Sequence, residues 1–313
     1  PAGGSQGTLA AVFVDQTRRM GLVYRQPENG RHFQIFREAN GSECNTAWFE
    51  NHSEANGAED EAPADLKGSF AGFVLLSEPS WEKQQLIRDL KEKWNIIAQE
   101  EEDNGDNTLI FTLDNCMVAV SMVPAPIPDG EAEANAANNY LWPEAVEAAK
   151  AHQAHMMVAV IGEEEQALEI GKLHVKVLSA CCRQTYATGI YTSGVVLEPQ
   201  FYEEFANMMK ADMLPIFNWI WFGLYESERG LCGYTDGLEQ FGRDEIEVLN
   251  TDAQPKDLRA FLISLASYVL QNNLELHDGE TIGFSEEDKH SITRSEGEVL
   301  PGMTLKISYS PMD

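Results

Sequence analysis

The chain has 313 residues, and 43% of them are apolar, which is enough to build a core and excludes wholesale disorder. Its 51 Asp and Glu against 22 Lys and Arg give a formal net charge of −29. A surface this acidic repels phosphate backbones and anionic lipid, so we expect neither nucleic-acid binding nor electrostatic membrane docking. It would attract a basic macromolecule, although acidity can equally serve solubility alone.

The five cysteines predict a reducing, cytoplasmic location. They include no CxxC pair, and the adjacent Cys181 and Cys182 suit neither a structural disulfide nor a zinc site. No apolar run reaches the ~18 residues that a membrane span needs. We therefore interpret the cysteines as small apolar residues of a cytoplasmic protein.

Residues 1–66 differ in composition from the rest of the chain. Two short strand-like stretches, 10–14 and 33–36, lie among Gly, Asn, Gln and Arg, and residues 54–65 are acidic without one large apolar side chain. Such a segment cannot bury enough surface to offset the entropy lost on ordering. We predict an N-terminal extension and acidic linker over 1–66.

A compact body is predicted over residues 67–313, divided into subdomains 67–162 and 163–313. In the first, Ser80 caps a helix whose stripe ends at Trp94, and Asp114-Asn115 joins two strands in a hairpin. The pattern predicts a strand, a helix, two strands, a helix and a strand, at 70–76, 80–94, 108–113, 117–123, 143–152 and 156–161. This βαββαβ order indicates a ferredoxin-like first half.

The second subdomain repeats this mixture of helices and strands. Residues 216–225 are apolar at both phases of a two-residue period, which predicts a central strand covered on both sides. Helices are predicted at 163–182, 201–210 and 255–270, and further strands at 195–197, 230–234, 245–249, 281–284 and 304–309. The expected fold class is α+β, with two related halves of mostly antiparallel sheets covered by helices.

The sharpest local motif is YTDGLEQFGRDEIEV, which begins at Tyr234. With one histidine further along the chain, it supplies our candidate binding residues: Tyr234, Thr235, Asp236, Gly237, Glu245, Glu247 and His290. A two-residue period places Glu245 and Glu247 on one strand face. Together with Asp236 they could hold a cation or act as an acid/base pair. Because no His, Cys or Lys lies near them in sequence, the preferred interpretation is a solvated strand face.

No cofactor, metal or catalytic residue is predicted. The chain has neither GxxxxGK[ST] nor a GxGxxG between a strand and a helix. His152 and His155, with His174 later, could share a cation. However, the predicted helix gives way to a strand near His155, so a polar helix end is preferred.

Four separated stretches have distinctive sequences: the motif at Tyr234, the Pro-rich stretch 123–128, the sequence WPEA at 142–145, and the C-terminal pattern from Gly283 to Ile307. Together they resemble the bacterial domain-of-unknown-function family numbered 4261. The resemblance covers roughly residues 68–310 and implies no activity, because that family has none assigned. The Thr235-x-Gly237 turn before an acidic strand is also similar to the suppressor-of-fused-like group, which includes immunity proteins of bacterial toxin systems.

Two functions remain open from the sequence. The first is a non-enzymatic cytoplasmic protein that binds a basic protein, such as an immunity-type inhibitor of a basic toxin. Acidic patches at 100–103 and 163–165 could occupy the partner's basic site. The second is an enzyme with a dispersed carboxylate and histidine site, made of Asp236, Glu245, Glu247 and His290.

Overall fold

The computed structural model describes residues 69–99, 105–163, 166–283 and 289–310, and the backbone of four strands nearer the N-terminus. The predicted linker at 51–66, the acidic run 100–103 and Glu164 and Glu165 of the second acidic patch lie outside the described residues. The chain divides into two compact units, 1–203 and 204–313. We describe each unit by itself.

The N-terminal strands form a four-stranded sheet in which each strand pairs antiparallel with the next. They are β1 (Thr8–Val14), β2 (Met20–Arg25), β3 (His32–Arg37) and β4 (Cys44–Trp48). Strands β1 and β3 include the two stretches predicted from the sequence, whereas β2 and β4 were not predicted.

A six-stranded sheet with the order β10-β9-β5-β8-β7-β6 forms the core of the first unit. Its strands are β5 (Ser69–Leu76), β6 (Thr108–Leu113), β7 (Cys116–Val123), β8 (Ala154–Ile161), β9 (Ala187–Thr192) and β10 (Val195–Leu197). Strands β9 and β10 complete this sheet, and the unit continues to Glu203.

Every neighbouring pair in this sheet is antiparallel. Alternation along the order therefore makes β5 and β6 run in opposite directions, although a helix connects them. A split βαβ unit needs those two strands to be parallel. The predicted ferredoxin-like arrangement of the first half is therefore not confirmed.

Local turn chemistry explains several element boundaries of the first unit. Asp114 and Asn115 have φ of 48° and 65°, the left-handed geometry that a two-residue hairpin turn requires. Helix α1 (Lys83–Trp94) follows Glu82 at the N-cap position, so Ser80 does not cap it as predicted. Its C-cap residue Asn95 has a left-handed backbone conformation, which ends the helix.

Helices cover both faces of the first sheet. Helix α4 (Ala167–Cys181) packs on β5 and β8, and a Cβ at Gly72 would lie 2.7 Å from Leu178 Cδ1. The short helices α2 (Glu131–Ala136) and α3 (Ala145–Ala151) bury alanines against the core that contains Phe73, on the other face. Alanine permits this close approach because its side chain is small.

The second unit has a six-stranded sheet with the order β11-β12-β13-β16-β15-β14. Its strands are β11 (Trp221–Ser227), β12 (Gly230–Asp236), β13 (Ile246–Thr251), β14 (Thr281–Ile282), β15 (His290–Glu296) and β16 (Met303–Ile307). Only the β13–β16 pair among them is parallel. Two mostly antiparallel six-stranded sheets covered by helices confirm the α+β class.

Helix α7 (Pro255–Gln271) covers one face of this sheet and buries the predicted stripe, including Leu258 and Leu265. Helix α5 (Pro199–Ala206) precedes it in the chain. The predicted central strand at 216–225 is wrong: its first part is the helical turn α6 (Ile216–Trp219), and β11 after it lies at the sheet edge. Among the described residues, no helix combines the length and apolar character needed to cross a membrane.

Candidate functional site

Antiparallel pairing of β12 with β13 brings the two halves of the YTDG…DEIEV motif together. Strand β12 ends with Tyr234, Thr235 and Asp236, and β13 begins immediately after Glu245. The nine residues 237–245 form the connection between the strands. The motif is therefore one hairpin, and its polar groups lie at one end of the sheet because the chain turns back there.

The carboxylate of Glu245 binds the turn that follows β12. Its Oε1 accepts hydrogen bonds from the backbone N–H groups of Gly237 at 2.7 Å and Glu239 at 3.0 Å, and its Oε2 accepts one from Thr235 Oγ1 at 2.6 Å. Thr235 Oγ1 in turn accepts a hydrogen bond from the N–H of Ile246 at 2.9 Å. Glu245 thus fixes the start of the connection to the start of β13.

Gly237 is required at this turn for a steric reason. Its φ of +131° is rarely adopted by residues with a side chain, and a Cβ there would lie 2.1 Å from the carbonyl oxygen of Trp219. The absence of a side chain allows the N–H of Gly237 to reach Glu245. The Thr-x-Gly spacing noted in the sequence therefore serves carboxylate binding within the chain.

Burial changes the protonation of the two neighbouring carboxyl groups. It raises the pKa of Glu245 to about 7, against the opposing effect of the Thr235 hydrogen bond, and the Asp236 charge raises it further. Burial also raises the pKa of Asp236 to about 6, with a contribution from Glu239. These two groups exchange protons near neutral pH, which makes them the strongest candidates for acid/base behaviour in the motif.

Glu247 forms a buried ion pair with a residue far along the chain. Its Oε2 lies 2.8 Å from Lys306 Nζ, and Glu247 is 0% exposed. The N–H groups of Glu298 and Val299 donate to the same carboxylate at 3.0–3.1 Å, and Thr304 Oγ1 donates at 3.2 Å. The pair thus anchors the loop between β15 and β16 to β13.

The partners of Glu247 keep it ionised. Burial alone would raise the pKa of Glu247, but Lys306 and the N–H groups of Val299 and Glu298 lower it below its ordinary value. The pKa values of Glu245 and Glu247 are therefore shifted in opposite directions, although the residues are two apart in sequence. Glu245 accepts hydrogen bonds from neutral donors, whereas Glu247 is paired with a cation.

The preferred interpretation of a solvated carboxylate face is wrong. Glu245 is 8% exposed and Glu247 is 0% exposed, while Ile246 and Val248 are buried on the other face. The reason is that the turn after β12 covers Glu245, and the loop before β16 covers Glu247. Backbone N–H groups bind each carboxylate, and local sequence does not show which N–H groups will bind a given carboxylate.

Tyr234 lies opposite Glu247 in the β12–β13 register, and so on the same sheet face. Its ring lies over Gly223, where a Cβ would come within 2.1 Å of it, and its centroid is 6.5 Å from that of Tyr225. Burial raises the pKa of Tyr225, and the nearby Cys232 raises it further. This face therefore carries two tyrosines beside the buried ion pair.

His290 does not join these groups. In the β15–β16 register Thr293 lies opposite Lys306, and His290 is three residues from Thr293, so His290 and Lys306 point to opposite faces. His290 instead makes T-shaped contacts with the rings of Phe261 and Tyr309, which stack on each other and lie 5.2 Å from it, and it donates to the Ser308 carbonyl from Nδ1 at 3.2 Å. The four residues of the enzyme hypothesis thus do not converge.

The histidines considered for a metal have separate partners in the first unit. His152 Nε2 accepts from the N–H of Ile127 at 2.8 Å, and His155 Nδ1 donates to the Ala125 carbonyl at 2.8 Å. Burial lowers the pKa of His174 to about 4. In the parts of the chain that are described, no three His, Cys, Asp or Glu side chains form a group that could hold a metal ion.

Sequence reasoning missed Lys306 and the 297–302 loop as parts of the site. Lys306 lies 59 residues after Glu247 in the sequence. The two residues meet because β16 pairs in parallel with β13, which places Lys306 opposite Glu247. The one available signal was the alternation in Met303–Ile307, which places Lys306 among buried neighbours. A lysine in such a position needs a carboxylate partner.

Comparison with known proteins yields one match. No curated protein and no solved structure matches the chain. A family model matches the part of the chain that begins at Tyr234 and includes both buried carboxylates and Lys306, whereas the resemblance seen in the sequence extended over residues 68–310. Residues 234–308 match the model of the family described as a domain of unknown function (DUF4261), which confirms the resemblance over that range.

Proposed function

We propose that this protein is a non-enzymatic binding protein that captures a basic protein, most concretely as an immunity-type inhibitor of a basic bacterial toxin. The observation that carries the proposal is the excess of acidic residues, with 51 Asp and Glu against 22 Lys and Arg. Complementary charge accelerates association far more than it slows dissociation, so an inhibitor that must act quickly gains from it.

The organisation of the motif supports binding over catalysis. Three donors of the chain bind Glu245, and Lys306 and the 297–302 loop bind Glu247. An acid/base pair must reach a substrate from a shared open site. The alternative, an enzyme that uses Asp236, Glu245, Glu247 and His290, has weaker support because His290 projects to the other face of the sheet.

The same charge argues against the other classes of partner. Nucleic acid and anionic lipid both present dense negative charge, which an acidic surface repels. We therefore propose a protein partner, with no cofactor, and a cytoplasmic setting in keeping with the free cysteines among the described residues. Burial raises the pKa of Cys181 and that of Cys182, so both thiols stay protonated at neutral pH, and Cys181 lies in the core.

Affinity capture from an extract of the native cells tests the proposal. The full chain should retain a basic protein at low salt and release it at high salt, since exposed charges are screened over a Debye length of ~8 Å at physiological ionic strength. A variant with Gln at four exposed positions, Glu92, Glu144, Glu226 and Glu228, should retain less of it.

The matched control replaces the same four residues by Asp, which keeps the charge and should leave retention unchanged. Recovery of no basic protein, or equal retention by the Gln and Asp variants, would contradict the proposal. In that case the charge of −29 would be explained by solubility alone.

A further inference from the structure

The second unit contains a cavity of about 230 Å³ at the end of its sheet. It lies between the connection from β12 to β13, the C-terminal part of α7 and residues 275–278. Most of its surface is polar, whereas its buried lining residues are apolar: Leu238, Ile246, Val269 and Leu305. At ~30 Å³ for each atom, the share that a water molecule has in the liquid, the cavity holds about seven non-hydrogen atoms. It therefore suits a small, mainly polar ligand with a short apolar part.

Arg243 lines the cavity, and its guanidinium contacts only neutral acceptors. Nε donates to the carbonyl of Leu274, and Nη2 donates to Asn273 Oδ1 at 2.7 Å. Nη1 donates to the carbonyls of Phe241 at 3.4 Å and Gly242 at 3.1 Å. Because a guanidinium has five N–H donors, one N–H of Nη2 is left without an acceptor among the described residues. No described carboxylate pairs with Arg243, so its charge is not neutralised.

The other charged groups at the cavity limit the charge that a ligand can carry. Arg294 and Asp244 form an ion pair through two hydrogen bonds, at 2.6 and 3.1 Å, and so compensate each other. Asp278 accepts a hydrogen bond from the N–H of Arg294 through Oδ1 at 2.8 Å, and Glu275 is exposed. A ligand with two negative charges would be repelled by these three carboxylates, whereas Arg243 can balance a single negative charge.

We propose that this cavity binds one small monocarboxylate, whose carboxylate accepts a hydrogen bond from Arg243 and whose apolar part lies on the buried side chains. A charge-assisted hydrogen bond from a guanidinium is among the strongest that a carboxylate makes. The net charge of −29 repels anions at long range, but this repulsion is screened over ~8 Å at physiological salt. The inference goes beyond the proposed function and does not depend on it.

A titration with lactate, followed by amide chemical shifts of the full chain, tests the site. Lactate is a monocarboxylate that fits the volume and combines a hydroxyl with a methyl group. Saturable shifts should be confined to residues at the cavity, such as Ile246 and Leu276. Lactamide has the same shape without the charge, so it should bind at least about tenfold more weakly.

The variant Arg243→Gln should bind lactate at least about tenfold more weakly, because it loses the cation. The matched control Arg229→Gln removes one exposed positive charge at the turn between β11 and β12. The seven residues of β12 place it roughly 20 Å from the cavity, so it should change the affinity less than about twofold. Arg243 also binds the segment after α7, so urea unfolding should accompany the titration of its variant. The comparison of lactate with lactamide uses the unmodified chain and does not depend on that variant.

Two further probes define the ligand. N-acetyl-alanine presents its carboxylate as the end of a chain, so tighter binding than lactate identifies a chain terminus as the ligand, and weaker binding identifies a free acid. Inorganic phosphate should bind more weakly than lactate, because its second charge meets the carboxylates at the cavity.

Four results would overturn this inference. They are the absence of saturable shifts at the cavity with either carboxylate, lactamide binding as tightly as lactate, phosphate binding more tightly than lactate, and an equal loss of affinity in Arg243→Gln and Arg229→Gln.

Discussion

Replacing Lys306 by methionine removes the cation from a buried carboxylate. Glu247 is 0% exposed and the Lys306 side chain is 14% exposed. Removing one partner of a buried pair costs about 3–5 kcal/mol, because the other charge is left uncompensated. Glu247 keeps its donors from Glu298, Val299 and Thr304, and Lys306 is not fully enclosed. We therefore expect the lower end of that range, about 3 kcal/mol.

Urea denaturation measures this loss, and hydrogen exchange locates it. The amides of Glu298 and Val299 donate to Glu247, so they should lose protection before the rest of the unit does. The matched control is Lys256→Met, at an exposed position of α7, which should cost less than about 0.5 kcal/mol. The double variant Glu247→Gln/Lys306→Met should be more stable than Lys306→Met, since it buries no unpaired charge.

A cost for Lys306→Met equal to that of the Lys256→Met control would refute this reasoning. So would a double variant less stable than the single one. Either result would mean that the Glu247–Lys306 contact does not hold the 297–302 loop.

Three further predictions concern stability. The pKa of Glu245 is raised from 4.5 to about 7 in the folded chain, so its contribution to stability is present below pH 4.5 and lost as the pH rises through 7. The free energy of unfolding in urea should therefore fall by about 3 kcal/mol between pH 5 and pH 8 on account of this group, and Glu245→Gln should remove that fall. The pKa of His174 is lowered from 6.5 to about 4, so its contribution is present above pH 6.5 and lost as the pH falls toward 4; His174→Leu should abolish that loss of about 3 kcal/mol, and an unchanged acid slope would contradict this. Gly237→Ala should cost about 4 kcal/mol or more in thermal or urea unfolding because of Trp219, whereas Gly279→Ala, with φ of +81° and nothing within 4 Å, should cost about 1 kcal/mol.

Elements with strong local signals were predictable from the sequence. The hairpin at Asp114-Asn115 followed from two residues that tolerate positive φ, and α7 followed from a stripe of buried leucines. The run 216–225 failed because a short apolar stretch fits a buried helical turn as well as a strand. Strand β15 was missed because most of its side chains are polar and exposed, so its sequence carries no apolar period.

The candidate site could be located from the sequence but not interpreted correctly. The glycine and carboxylate spacing indicated a special turn, and Gly237 does occupy one. The burial of Glu245 and Glu247 depends on tertiary contacts, namely the turn after β12 and Lys306 of β16. Local periodicity cannot distinguish a solvated carboxylate from one that is covered by another part of the chain.

The association rate constant with the captured basic protein tests the central claim most directly. Stopped-flow measurements on the purified pair at about 0.01 M and 1 M ionic strength span Debye lengths from ~30 Å to ~3 Å. The account predicts a rate constant that falls at least about tenfold over this range, with a dissociation rate that changes much less. An association rate constant that does not respond to salt would contradict it.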